Sequence, residues 1–499
     1  MKKIFYVWHR YLGIVTCAVV FLWSVSGFLH PLMSWLQPRP KLMRIASPAL
    51  KADDFGATPQ EAFARYDLTR YQDFQVIRLE GRPYYQVRTE PDRPLRYFST
   101  RDGAELLEGD RQYAVWLARQ YLQDFQSPVT EVQLVTDFGR EYKVINKLLP
   151  VYRVQFDRPD QMRAYVETTS GLLGTLVDRT KGRLMSLFVT LHNWDWVGGV
   201  GGVGGADWLR VGLLVTFTSL VALMAISGIL VYGLFWKTFR PLTAKTDQPR
   251  NRLKRYHRRL GLTVSVTMIF WATSAAYHAV EKPGILAEAK AVYAPHEFQQ
   301  SDSPFPLTRI LLDPALGPIV NLSMVRLEGK PAYQVFLANR QVQYHDAATG
   351  ERIEGAHDRY LRELAGTFSG LDPSRIASIR PVTKFDDEYG FLNKRLPVVR
   401  VEYQDANQTR YFLEPVGGQL WQTLGNWKRL ESYTFNYLHK WNFLNWAGRM
   451  TRDVVMMLFV TLQAVLSASG LILFLFWKRA TVGRPVRAAA PPYSEAGHP

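Results

Sequence analysis

Six of the ten histidines recur as matched pairs at the ends of apolar, membrane-length segments. Trp8-His9-Arg10-Tyr11-Leu12-Gly13 opens one segment, and Tyr256-His257-Arg258-Arg259-Leu260-Gly261 opens another. Each carries a second histidine 21 residues on: His30 in Ser26-Gly27-Phe28-Leu29-His30, and His278 in Ser274-Ala275-Ala276-Tyr277-His278. Leu191-His192-Asn193-Trp194 and Leu438-His439-Lys440-Trp441 form the third pair. Imidazoles are costly in a bilayer and mark function there. Set at both membrane edges, they suit axial ligation of haem iron. Twenty-one helical residues rise about 31 Å, and their rotations sum to within about 60° of a full turn. His9 and His30 therefore share a face but cannot share an iron, and the same holds for His257 and His278. The spacing leaves the pairing among the outer four, His30, His192, His278 and His439, open.

Four uncharged stretches must carry these residues: Tyr11 to Gln37, Val211 to Phe235, Leu260 to Val280 and Val454 to Trp477. Each exceeds the roughly 20 residues needed to cross a hydrocarbon core. The first resembles a signal peptide only at Lys2 and Lys3; its apolar part is long and recurs internally, so it is expected to be a retained helix. Nine Lys/Arg lie between Lys237 and Arg259, three in the first ten residues and four from Lys478 onward, opposed there only by Asp247 and Glu495. These hold most of the formal charge of +17. Basic short loops stay in the cytoplasm, so both termini and the central loop are expected inside, with the two long segments outside. The basic charge fits contact with anionic lipid and gives no reason to expect a nucleic-acid partner. The single cysteine, Cys17, excludes internal disulfides and a Cys-x-x-Cys-His haem attachment, so any haem would be held without thioether links.

The whole chain is a duplication with a period of about 248 residues. Val76-Ile77-Arg78-Leu79-Glu80-Gly81-Arg82-Pro83 answers Met324-Val325-Arg326-Leu327-Glu328-Gly329-Lys330-Pro331, and Ser227-Gly228 answers Ser469-Gly470. The expected fold class is an α+β membrane protein with four transmembrane helices in two parallel halves. The divisions are a first helix (1–37), outer α+β lobes (38–183), an aromatic connector with the second helix (184–237), and a basic loop (238–256). The second copy follows as a helix (257–281), lobes (282–430), a connector with the fourth helix (431–478) and a tail (479–499). Two helix-plus-sheet lobes are expected per outer segment. Trp194, Trp196, Trp208, Trp427, Trp441 and Trp446 suit the water–lipid interface. The glycine string 199–204 is expected to be a linker, because no strand of a βαβ unit precedes it.

Competing chemistries are weaker. Zinc would want carboxylates or cysteines at repeated metal spacing, and a proton relay would want acids, of which the four stretches contain none. Arg10 and Arg258 stand where haem propionates would need cations, although positive-inside anchoring explains them equally well. Glu141, Tyr142, Asn146 and Lys147 recur as Glu388, Tyr389, Asn393 and Lys394. A structural role suits this set best, with Glu141, Tyr142, Glu388 and Tyr389 as the candidates for contact with a substrate.

The His-Arg-x-x-Gly motif, the later Ser-Gly and the outer Leu-His resemble the PepSY-associated transmembrane family, and the lobes look like PepSY domains. The resemblance extends to the bacterial inner-membrane ferric-siderophore reductases of that family, four-helix proteins with two b-type haems. It implies electron transfer from the cytoplasmic side to a periplasmic Fe(III) chelate, with two haems, or three if all six histidines pair. The donor would be a separate cytoplasmic partner or a quinol. The alternative is a non-enzymatic PepSY-type membrane binding or regulatory protein, with the histidines as interfacial anchors.

Overall fold

The structure is a computed structural model that describes residues 2–91, 93–198, 207–239, 249–287, 292–294, 296–390 and 393–482. The glycine string 199–204, residues 240–248 of the basic loop and the tail from 483 lie outside the described residues. Among the described residues, four helices are long and apolar enough to cross a membrane: Lys2–Leu36, Asp207–Ile229, Pro249–Ala287 and Arg449–Val482. The first packs along the fourth and the second along the third; first-to-second and third-to-fourth contacts close the ring. First and third helices therefore face each other across the diagonal. The outer faces of the first and fourth helices expose Val15, Phe21, Leu22, Leu458 and Leu471, the apolar surface that lipid solvates. Midway along the bundle, Val20, Val221, Ala225, Val264, Met268, Ala272 and Leu466 pack into one buried cluster.

At the end remote from the basic loop, the outer segments form three large antiparallel sheets. Alternating burial along strands such as Val151–Phe156 gives each sheet an apolar face. The largest sheet has six strands, ordered Val342–Asp346, Lys330–Leu337, Ile319–Leu327, Asp73–Leu79, Arg82–Arg88 and Arg96–Ser99. The two copies thus share one sheet rather than forming separate first lobes. Their junction pairs Ser323 with Gln75, which are equivalent positions in the repeat, so the local twofold axis passes there. Asn321 Oδ1 accepts the Val76 amide at 3.3 Å beside it. The hairpin turns Glu80-Gly81 and Glu328-Gly329 both have positive φ at both residues, as tight two-residue turns between twisted strands require.

Helix Gly109–Leu122 packs its Tyr113, Ala114, Leu117 and Tyr121 between the shared sheet and the sheet containing Val151–Phe156. Helix Ala356–Ser369 does the same in the second copy. The two remaining sheets meet through Tyr142, Leu148, Val151 and Val177 on one side and Tyr389, Val398, Trp421 and Leu424 on the other. Polar bonds cross the same interface reciprocally: Lys147 donates to Asn393, and Lys394 donates to Asn146. Arg395 lies between Glu167 and Glu414, carboxylates at equivalent positions of the two copies.

Candidate functional site

Within the bundle the imidazoles meet in twos. His9 on the first helix and His257 on the third have ring centres 6.4 Å apart, with planes inclined at 66°. His192 and His439 have ring centres 6.3 Å apart, with planes at 81°. Imidazoles ligating one ion from opposite sides, with metal–nitrogen bonds of about 2.0–2.1 Å, have ring centres about 6.3 Å apart. Among the described residues no group of three or more His, Cys, Asp or Glu converges.

A serine fixes the tautomer of every one of these four rings. His9 Nδ1 lies 3.1 Å from Ser227 Oγ, and His257 Nδ1 lies 2.8 Å from Ser469 Oγ. His192 Nδ1 lies 2.9 Å from Ser26 Oγ, and His439 Nδ1 lies 3.2 Å from Ser274 Oγ. Each serine hydroxyl donates its one proton to a carbonyl of its own helix, those of Met224, Leu466, Trp23 and Phe270 respectively. A hydroxyl that has donated can only accept, so Nδ1 carries the hydrogen and Nε2 the lone pair. All four serines are buried, which keeps water from competing.

The glycine after each inner serine makes room for the ring. A Cβ at Gly228 would sit 3.1 Å from His9 Cε1, and one at Gly470 would sit 3.2 Å from His257 Cε1. Beside this pair a cleft with about 1190 Å³ of open space, its mouth included, is lined by Gly13, Gly261, Arg10, Arg258, Tyr232 and Met268. Arg258 is steadied at the rim: its guanidinium lies 3.6 Å over the Trp236 ring, and its Nε donates to the Tyr232 carbonyl at 3.2 Å. Arg10 reaches the same rim, with its guanidinium 5.2 Å from the Tyr11 ring centre.

The outer pair comes from irregular backbone. His192 ends the apolar part of the π-helical turn Val189–Asn193, and His439 closes the π-helical turn Phe435–His439. Such turns concentrate at functional sites. Each is followed by a tryptophan in the left-handed region, Trp194 and Trp441, both at φ 54°. Their indole nitrogens donate back to Leu191 and Leu438 carbonyls at 3.1 Å. Trp194 stacks on Trp23 and Trp441 on Trp271, at 5.5 and 4.8 Å. These two indoles are buried packing elements, whereas Trp196, Trp208, Trp427 and Trp446 are exposed as interfacial residues would be. The two levels are set by His9 and Ser26 on the first helix, 17 residues or about 25 Å apart.

His30 and His278 stand against phenylalanine rings. His30 stands 5.5 Å from the Phe188 ring, and Phe188 stacks on His192 at 4.8 Å. His278 stacks on Phe435 at 4.1 Å, Phe435 stacks on His439 at 4.8 Å, and Glu431 Oε1 lies 2.6 Å from His278 Nδ1. Both histidines sit on transmembrane helices, whereas the two imidazoles that meet at the outer level, His192 and His439, come from connector turns. The serines were visible as repeated letters but carried no assigned chemistry. Their signal was the Ser-Gly repeat opposite the inner histidines and the serine four residues before His30 and before His278.

Glu141, Tyr142, Glu388 and Tyr389 lie in the outer lobes and bond within them. The Tyr142 and Tyr389 hydroxyls donate to the carbonyls of Leu148 and Arg395 at 2.8 and 3.2 Å, and both side chains are buried. Glu141 accepts from Arg163 and Tyr165, and Glu388 from Arg400 and Arg410. This arrangement suits the structural role that the repeat favoured.

No curated protein matches the chain. The model of the family described as the PepSY-associated TM region matches residues 6–479, and the protein belongs to that family.

Proposed function

We propose that the chain is a di-haem transmembrane oxidoreductase, with one b-type haem held by His9 and His257 and a second by His192 and His439. The observation that carries this reading is the pair of ring separations, 6.4 and 6.3 Å, with a serine holding Nδ1–H on each ring. Haem iron at these positions would supply one-electron chemistry and leave acceptor choice to the protein. Ser227, Ser469, Ser26 and Ser274 aim Nε2 and raise its basicity, as second-shell acceptors do for ligating histidines. Gly13, Gly228, Gly261 and Gly470 keep the inner cleft open, and Arg10 and Arg258 supply cations for propionates at its rim. The buried apolar cluster between the levels excludes water from the electron path. With the basic end cytoplasmic, electrons would enter from a cytoplasmic or quinol donor. They would leave beneath the periplasmic sheets of a bacterial inner membrane, for a ferric siderophore or another Fe(III) chelate.

The test is the visible spectrum of the full-length protein purified from haem-replete cells. Sharp Soret and α bands that shift with dithionite, at two haems per chain, are expected. H9A and H192A should each lose one haem, while H30A should lose none. A colourless wild-type protein would overturn the reading and leave the membrane binding or regulatory role.

A further inference from the structure

His30 and His278 are not consumed by the proposed haem sites, and the two differ in their surroundings. Glu431 has a side chain 9% exposed, and it holds His278 Nδ1 at 2.6 Å. The His278 ring lies on Phe435 with planes 18° apart, and Phe435 lies on His439 with planes 16° apart. Glu431, Phe435 and His439 follow one another at intervals of four along the connector, so one turn per step brings them into a column. Lys440 Nζ stands 4.6 Å from the Phe435 ring centre and crowds that ring further. In the other copy the column is loose: His30 is tilted 48° to Phe188, and the position equivalent to Glu431 is Leu184.

We propose that Glu431 and His278 are positioning residues that brace the plane of His439, so that one face of the outer haem has a fixed ligand and the other a less constrained one. This rests on the di-haem reading. A buried carboxylate binds an imidazole N–H more strongly than a neutral acceptor does, so the brace is anchored at its far end. The near-parallel stack then transmits that orientation to His439, whose Nδ1 is held by Ser274. Partners outside the ligand shell orient the ligands and tune the metal. The outer haem would therefore report on Glu431 although the carboxylate never touches it.

The experiment compares wild type with E431Q and H278F in the full-length, haem-loaded protein in detergent. H278F keeps a ring for stacking and loses the tether, so it remains informative if E431Q accumulates poorly. Haem stoichiometry, the midpoint potential of each haem and the low-spin electron paramagnetic resonance spectrum are read together. Two haems per chain, a shifted potential and a broadened or displaced low-spin signal for the outer haem, and an unchanged inner haem are expected. H30F should produce a smaller shift. Loss of one haem in H278F would overturn the proposal by making His278 a ligand. Unchanged outer-haem potential and signal in both variants would overturn it too. A wild type without haem fails earlier, at the spectrum, and is thereby distinguished.

Discussion

Replacing Arg395 with leucine, the residue found at the equivalent position 148 of the first copy, removes one cation from between two buried carboxylates. Arg395 Nη2 binds both Glu167 oxygens, at 2.6 and 2.8 Å, and Nη1 lies 3.4 Å from Glu414. The side chains of Arg395 and Glu167 are 5% and 2% exposed, so water cannot take the guanidinium's place. Breaking a buried pair from one side costs about 3–5 kcal/mol, and R395L should lose that much at pH 8. Burial already pushes the Glu414 carboxyl up to about 7, with Arg395 opposing the rise. A carboxyl whose folded pKa is raised binds its proton more tightly in the native state. Its contribution is therefore intact below the unfolded value and is lost as pH climbs to the folded one. Without Arg395 that loss extends to higher pH, so the defect should shrink at pH 5, and E167Q should restore part of it at pH 8. Hydrogen exchange of strands Arg163–Glu167 and Arg410–Glu414 in detergent measures the local opening free energy. A defect under about 1 kcal/mol, far below the cost of an unpaired buried charge, or one equal at both pH values would refute the reasoning.

S227A and S469A should weaken haem retention at the inner site about 10–100-fold, the usual effect of losing a second-shell partner, and leave the outer site intact. Haem transfer to an apoprotein acceptor, followed by absorbance, measures this. G228A should act on the same site by pressing a methyl group to 3.1 Å from His9 Cε1, seen as a shifted or split inner Soret band. Lys394 is pushed down to about 7, by burial first and then by Lys181. The fold is penalised wherever that lysine is charged, fully below pH 7, and recovers as pH rises from about 7 toward the unfolded value near 10.4. K394M should therefore flatten the rise of wild-type stability across that window, as thermal unfolding at pH 7 and 9.5 would register.

The repeated histidines and serines stood out because duplication writes each letter twice. Four helices were legible because bilayer crossing demands long runs without charge. The partnership of His192 with His439 was not legible, since a π-helical turn and a left-handed tryptophan place those rings and neither follows from residue periodicity. Arg395 was equally silent. It breaks the repeat where Leu148 stands, and only the tertiary contact with Glu167 shows what the departure does.

The Gln75–Ser323 junction also constrains how the halves can exist. Severed between copies, either half would bare the backbone of Asp73–Leu79 or Ile319–Leu327 as a raw rim, and an uncapped rim recruits whatever strand it meets. Because the junction joins like to like around a twofold, the best cover for one half is a duplicate of itself. The single chain thus carries the geometry of a homodimer, tethered so that its two members can diverge, and the lone Arg395 and Glu431 are that divergence written in charge.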